Sequence, residues 1–130
     1  MNDKIRISTK NLKKALSSLE KSLATAPVED RDFAGIIQNF EFVYELTWKT
    51  LQKILSHENI EAPFPRVVFE EALKRNLIEG NEVWKQIMES KNLSVHTYDE
   101  DLAKELCVTI QEEYLIIFQK TVKKIEAAIQ

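Results

Sequence analysis

One cysteine, two glycines and three prolines are all that this 130-residue chain carries of the residues that staple or break a fold. The lone thiol, Cys107, excludes an internal disulfide and any cysteine-rich metal site. It falls within an apolar helical pattern, where a small buried hydrophobe is expected rather than a nucleophile. So few breakers argue against a sheet with many turns. Basic excess is missing too: 18 Lys and Arg stand against 21 Asp and Glu, for a formal net charge of −3. That argues against a large nonspecific nucleic-acid surface, which needs surplus cations to release counterions from many phosphates. The start, Met-Asn-Asp-Lys-Ile-Arg, has no apolar signal-type core, and no later run approaches the length of a membrane span. The expectation is an intracellular, cytoplasmic protein without membrane contact.

What is present is helical. With 44% hydrophobic and 30% charged residues, the chain reads as one all-α domain over residues 1–130. Leu12, Leu16, Leu19 and Leu23 form one stripe of a first helix starting near Ser8 or Thr9, with lysines 10, 13, 14 and 21 on the other side. Pro27 disfavours helical geometry at Ala26 and ends it. A second helix is predicted from Glu29 or Arg31 to His57, with a broad, aromatic-rich stripe that includes Phe40, Tyr44 and Trp48. Those three aromatics are expected in the core or at a dimer interface. Glu45 and Lys49 make a surface pair one turn apart. Glu41 and Glu45 have no His or Cys beside them, so no metal site is expected.

Pro65 opens a short helix to about Lys74, and another runs from Asn81 to about Lys91. This short pair reads as a lid or crossover. The last helix is predicted from Thr97 to about Ala128. The economical fold is an up-and-down four-helix-type bundle, with the two short helices between long ones closing an end or supplying a fourth side. Apolar surface left over on the longest helices would serve self-association.

The chemistry concentrates in Ser90–Asp101, Ser-Lys-Asn-Leu-Ser-Val-His-Thr-Tyr-Asp-Glu-Asp, which holds one of the two histidines. Asn92 suits a left-handed position past a helix end, and Thr97 with Glu100 reads as a capping box that starts the last helix. Unpaired N–H groups there, with Lys91 and His96 beside them, would seat a phosphate of a nucleotide or RNA backbone. Equally, Asp99, Glu100 and Asp101 complement the helix dipole and would make this an ordinary capped turn.

Three strings stand in order. They are Phe40-Glu41-Phe42-Val43-Tyr44-Glu45-Leu46-Thr47-Trp48-Lys49, then Phe69-Glu70-Glu71-Ala72 with Leu77-Ile78 and Trp84, then Lys91-Asn92-Leu93-Ser94-Val95-His96-Thr97-Tyr98-Asp99-Glu100. Together they resemble the nucleotidyltransferase substrate-binding protein family over nearly the whole chain. The resemblance implies a helical bundle similar to the C-terminal domain of kanamycin nucleotidyltransferase, within the HEPN superfamily. It also implies a homodimer in a hetero-oligomer with a separate minimal nucleotidyltransferase subunit; no cofactor is expected. His96 and Lys91 match the catalytic pair of HEPN ribonuclease toxins, and Tyr98 the tyrosine that a partner nucleotidyltransferase modifies with AMP. Lys91, Asn92, His96 and Tyr98 would form the binding set.

The chain departs from the family pattern at Lys91, where arginine is usual, at Asn39, where a positive residue is expected, and at Asn76, in place of glycine. Lysine keeps the charge but loses the planar fork that grips phosphate by two bonds. Three functions follow: a noncatalytic substrate-binding subunit, a metal-independent ribonuclease toxin held by its partner, or a plain helical adaptor. The chain lacks the Gly-Ser and paired-aspartate site that nucleotidyl transfer would need.

Overall fold

The computed structural model describes residues 2–130. Its elements are α1 (Asp3–Leu23), α2 (Asp30–His57), α3 (Pro65–Lys74), α4 (Asn81–Leu93), a 3-10 turn (Ser94–His96), α5 (Glu100–Thr109), a π turn (Ile110–Tyr114) and α6 (Leu115–Ala128). No strand occurs among the described residues.

Contacts between elements set the direction of each helix. Ser8 Oγ lies 2.6 Å from Thr50 Oγ1, and the Asn39 amide donates to the Ser18 carbonyl at 3.4 Å, so α1 and α2 are antiparallel. Cys107 Sγ lies 3.5 Å from the Phe33 carbonyl and the Phe40 and Tyr114 rings are 5.9 Å apart, so the last helix runs parallel to α2. Trp84 meets Phe118 at 6.0 Å and Ser90 meets Tyr114, so α4 runs against it. Thus α1, α2, α4 and α5–α6 alternate up and down as a four-helix bundle, and α3 bridges α2 to α4.

The short helices are not a lid. Phe69 of α3 and Trp84 of α4 are fully buried and stack at 4.6 Å, joining an aromatic chain from Tyr44 through Phe118 to Phe40. Their apolar faces are short, but each carries one large ring into the common core, where aromatic burial dominates. Phe40 and Tyr44 belong to the same core, at 0% and 6% exposure. Of the two places expected for them, core or dimer interface, Phe40 and Tyr44 take the core. Trp48 remains half-buried, its indole N–H donating to Glu45 at 3.0 Å.

Helix ends follow local chemistry. Helix α1 begins at Asp3 rather than Ser8, because the Asn2 side chain accepts the Ile5 N–H at 2.9 Å and Ile5 is buried. At α2, Asp32 reaches back to the backbone of Glu29 in a reciprocal cap; these N–H donors hold its carboxyl below the usual range. Asn76 takes the left-handed conformation (φ 58°) that its place required. Gly80, at φ 99°, could not be replaced without strain, since an added Cβ would meet Val83 Cγ1 at 2.7 Å. The last helix is interrupted at the π turn, where one wide loop of backbone carries Tyr114 inward.

Candidate functional site

Helix α4 passes directly into the 3-10 turn, and both are right-handed, so no chain reversal is needed at Asn92. Asn92 stays helical, contrary to the left-handed expectation; outside glycine, only Asn59 and Asn76 take positive φ among the described residues. Thr97 closes the 3-10 turn at φ −75°, ψ 0°, and the backbone becomes extended only at Asp99. Asp99 is therefore the cap of α5, its carboxylate accepting the N–H groups of Asp101 and Leu102 at 3.0 and 3.2 Å. The Thr97 capping box is overturned, since a cap residue needs extended geometry. Asp99→Ala should lower stability by about 1 kcal/mol and Thr97→Ala by much less, read from urea unfolding.

The residues predicted to act together fall into two groups. Inside, Glu41 of α2 draws in one of them, Lys91, together with Ser94. Its Oε2 is 3.8 Å from Lys91 Nζ and 2.9 Å from Ser94 Oγ. The Lys91 ammonium also lies 5.9 Å over the Tyr44 ring. Ser94 is buried, and its single hydroxyl proton is shared between Glu41 and the Lys91 carbonyl, 2.7 Å away. Burial, with the neighbouring Glu45 charge second, pushes the Tyr44 hydroxyl up to about 12. Behind this group Ser90 Oγ meets Tyr114 OH at 2.6 Å, tying the end of α4 to the π turn.

Outside lie His96 and Tyr98, both exposed. His96 Nδ1 is 3.3 Å from the Tyr98 hydroxyl, with the rings edge to face. Tyr98 also borders a hollow of about 230 Å3 with Phe33 and Lys104. Leu93, Val95 and Tyr98 form an exposed apolar rim, Val95 at 66% and Tyr98 at 82%. Asn92 contributes to a groove of about 940 Å3 between α3 and α4, whose lining includes Tyr44, Phe69 and Met88. Tyr44 is thus the wall between that groove and Lys91.

The structure pairs Lys91 with Glu41 and His96 with Tyr98, not Lys91 with His96. Sequence reasoning missed Glu41 and Ser94 as site residues. The signal was absent locally, because Glu41 meets Ser94 across 53 residues of chain and reads alone as one of many helix-surface acids. No cluster of three metal-ligating side chains occurs among the described residues.

Burial also raises the Cys107 thiol, to about 11. Both Cys107 and Tyr44 favour their neutral forms in the fold. Their stabilising contribution is complete below the unfolded thiol and phenol ranges and is lost as pH climbs toward 11 to 12. Thermal unfolding from pH 7 to 11 should therefore show falling Tm above about pH 9, and Tyr44→Phe should flatten part of that fall.

Comparison with known proteins places this arrangement. A family model described as "Nucleotidyltransferase substrate binding protein like" matches residues 7–127. The curated Haemophilus influenzae protein "Probable ribonuclease HepT" is 34% identical over 94 residues, 68% of this chain and 64% of that protein, so the match spans less than two thirds of the relative. Among solved structures, HI0074 of Haemophilus influenzae, described as the fold of a substrate binding domain of a nucleotidyltransferase, superposes with TM-score 0.78 at 28% identity. It covers 91% of this chain and 98% of its own. A Thermus thermophilus protein shares the fold with TM-score 0.74 at 24% identity, over 92% and 98% of the two chains. This chain belongs to the nucleotidyltransferase substrate binding protein like family.

Proposed function

We propose that the protein is a noncatalytic, cytoplasmic substrate-binding subunit, a homodimer that pairs with a separate minimal nucleotidyltransferase. The observation that carries this reading is the state of Lys91. Its ammonium lies 3.8 Å from Glu41, whose carboxylate competes with a phosphate beside His96 for that charge. What the turn offers instead is an exposed apolar rim, Leu93, Val95 and Tyr98, suited to protein contact. The similarity to HI0074, described as a nucleotidyltransferase's substrate-binding domain, supports the same reading.

The second reading is a metal-independent ribonuclease toxin whose nucleotidyltransferase partner neutralises it. One observation favours it: His96 and Tyr98 are exposed side by side, as a proton-transfer group and its neighbour should be. The relative named as a ribonuclease adds support.

A tagged pull-down from the native cells, followed by intact-mass spectrometry, separates the two. A stoichiometric small nucleotidyltransferase with unmodified protein supports the substrate-binding subunit. An added AMP-sized mass that disappears in Tyr98→Phe supports the toxin. Recovery of the protein alone defeats both partner-dependent readings.

A further inference from the structure

The acidic balance of the chain hides a strongly basic helix. Helix α1 holds six of the 18 cations and two of the 21 acids, net +4, so the remaining chain carries −7. At 100° per residue, Arg6, Lys10, Lys13, Lys14 and Lys21 fall within about 100° of the helix circumference, opposite the buried stripe of Ile5, Leu12, Leu16 and Leu19. Arg6, Lys10, Lys13 and Lys14 line a shallow groove of about 540 Å3 beside Ile129. Among the described residues only Lys13 of these five meets a carboxylate, Glu126 at 2.8 Å.

We propose that this face binds the phosphodiester backbone of a single-stranded nucleic acid. The cations run along about 22 Å of helix, the length of some six or seven phosphates at about 3.4 Å per stacked nucleotide. An acidic protein fits the face less well. Protein interfaces have an apolar core depleted of charge, whereas Ile7 is the one large apolar side chain exposed on α1 among the described residues. No aromatic ring lies on the strip, so bases have nothing to stack on and the contact reads charge rather than sequence. The strip is also separate from the Lys91 and His96 turn. Helix α1 packs on α2 and α6, away from the 3-10 turn.

The test is fluorescence anisotropy of labelled 15-mers, oligo-U and oligo-dT, at about 50 mM salt. The full chain is compared with the triple variant Lys10→Glu, Lys14→Glu, Lys21→Glu. A control triple, Arg31→Glu, Lys85→Glu, Lys120→Glu, changes net charge equally at exposed positions off the strip. The expected result is binding of both oligomers to within threefold of each other, a loss of more than tenfold in the strip variant, and less than threefold in the control. The slope of log affinity against log salt should flatten by about 2, roughly 0.7 for each of three contacts. A glutamine version of the strip triple, with circular dichroism, separates lost contacts from lost folding. Absence of binding by the unmodified protein, or equal loss in both triples, overturns the proposal. Binding of poly-glutamate without either oligomer overturns it as well and assigns the face to an acidic protein. A failed pull-down of a nucleotidyltransferase leaves this proposal standing, because the two surfaces are different.

Discussion

Trp84→Ala is expected to cost about 3–5 kcal/mol of folding free energy, measured by reversible urea unfolding. The indole is fully buried, stacked on Phe69 at 4.6 Å and edge-on to Phe118 at 6.0 Å, so truncation removes contacts with two other helices at once. The walls of the resulting cavity are rings fixed by further rings, Tyr44 beyond Phe69 and Phe40 beyond Phe118, which cannot close in freely. A domain of this size has about 5–15 kcal/mol in total, so the variant should be near the edge of folding at growth temperature. Trp84→Phe is the informative companion. It leaves a smaller void, and it removes the indole N–H, the one buried side-chain polar atom without a partner among the described residues. Its cost should therefore be well below that of alanine. If α3 and α4 were a lid closing on an independent bundle, Trp84→Ala would shift stability by only a few tenths of a kcal/mol, and that outcome would refute the packing described above.

The other large effect concerns His96. In cells without the nucleotidyltransferase, the ribonuclease reading expects His96→Ala to abolish growth inhibition and to lower RNA cleavage by about 100- to 10,000-fold, the usual worth of a general acid or base. In that reading His96, exposed with Nδ1 3.3 Å from the Tyr98 hydroxyl, would exchange a proton with a ribose 2′-hydroxyl. Lys91 would steady the phosphate only after leaving Glu41. Cleavage should therefore rise in Glu41→Gln, which releases the ammonium, and in Lys91→Arg, which restores the planar fork. Equal growth inhibition by the unmodified protein and His96→Ala would remove the enzyme reading. No inhibition by either, with a nucleotidyltransferase retained in the pull-down, leaves the substrate-binding subunit.

Helix content and most helix ends were legible in the letters because their causes are local. The Leu12 to Leu23 stripe, Pro65 at the first position of α3 and Asn76 in a left-handed turn each depend on a residue and its near neighbours. The errors also have local causes. Thr97 and Asp99 are both good caps, and nothing in the sequence tells which one the backbone reaches in an extended conformation. That depends on how far the right-handed 3-10 turn carries the chain beyond α4. The π turn was hidden for a similar reason. One extra residue in a helical turn barely disturbs an apolar period, yet it brings Tyr114 to Ser90 and Phe40.

The site was half legible. His96 and Tyr98 are two residues apart, and their meeting follows from a short turn. Lys91 was expected beside them because it is close in sequence, but its partner is Glu41, fifty residues earlier. By itself, then, the sequence determined an all-helical chain, the approximate staves of its bundle, the family to which it belongs and the lysines opposite the leucine stripe of α1, since each of these is a matter of periodicity, composition or short motifs. Only the tertiary structure decided that Phe40, Tyr44, Phe69 and Trp84 are spent on the core, and that Lys91 lies beside Glu41 of α2 while His96 stays open. Those outcomes depend on which helix faces meet, and the packing of several helices around one set of rings settles that.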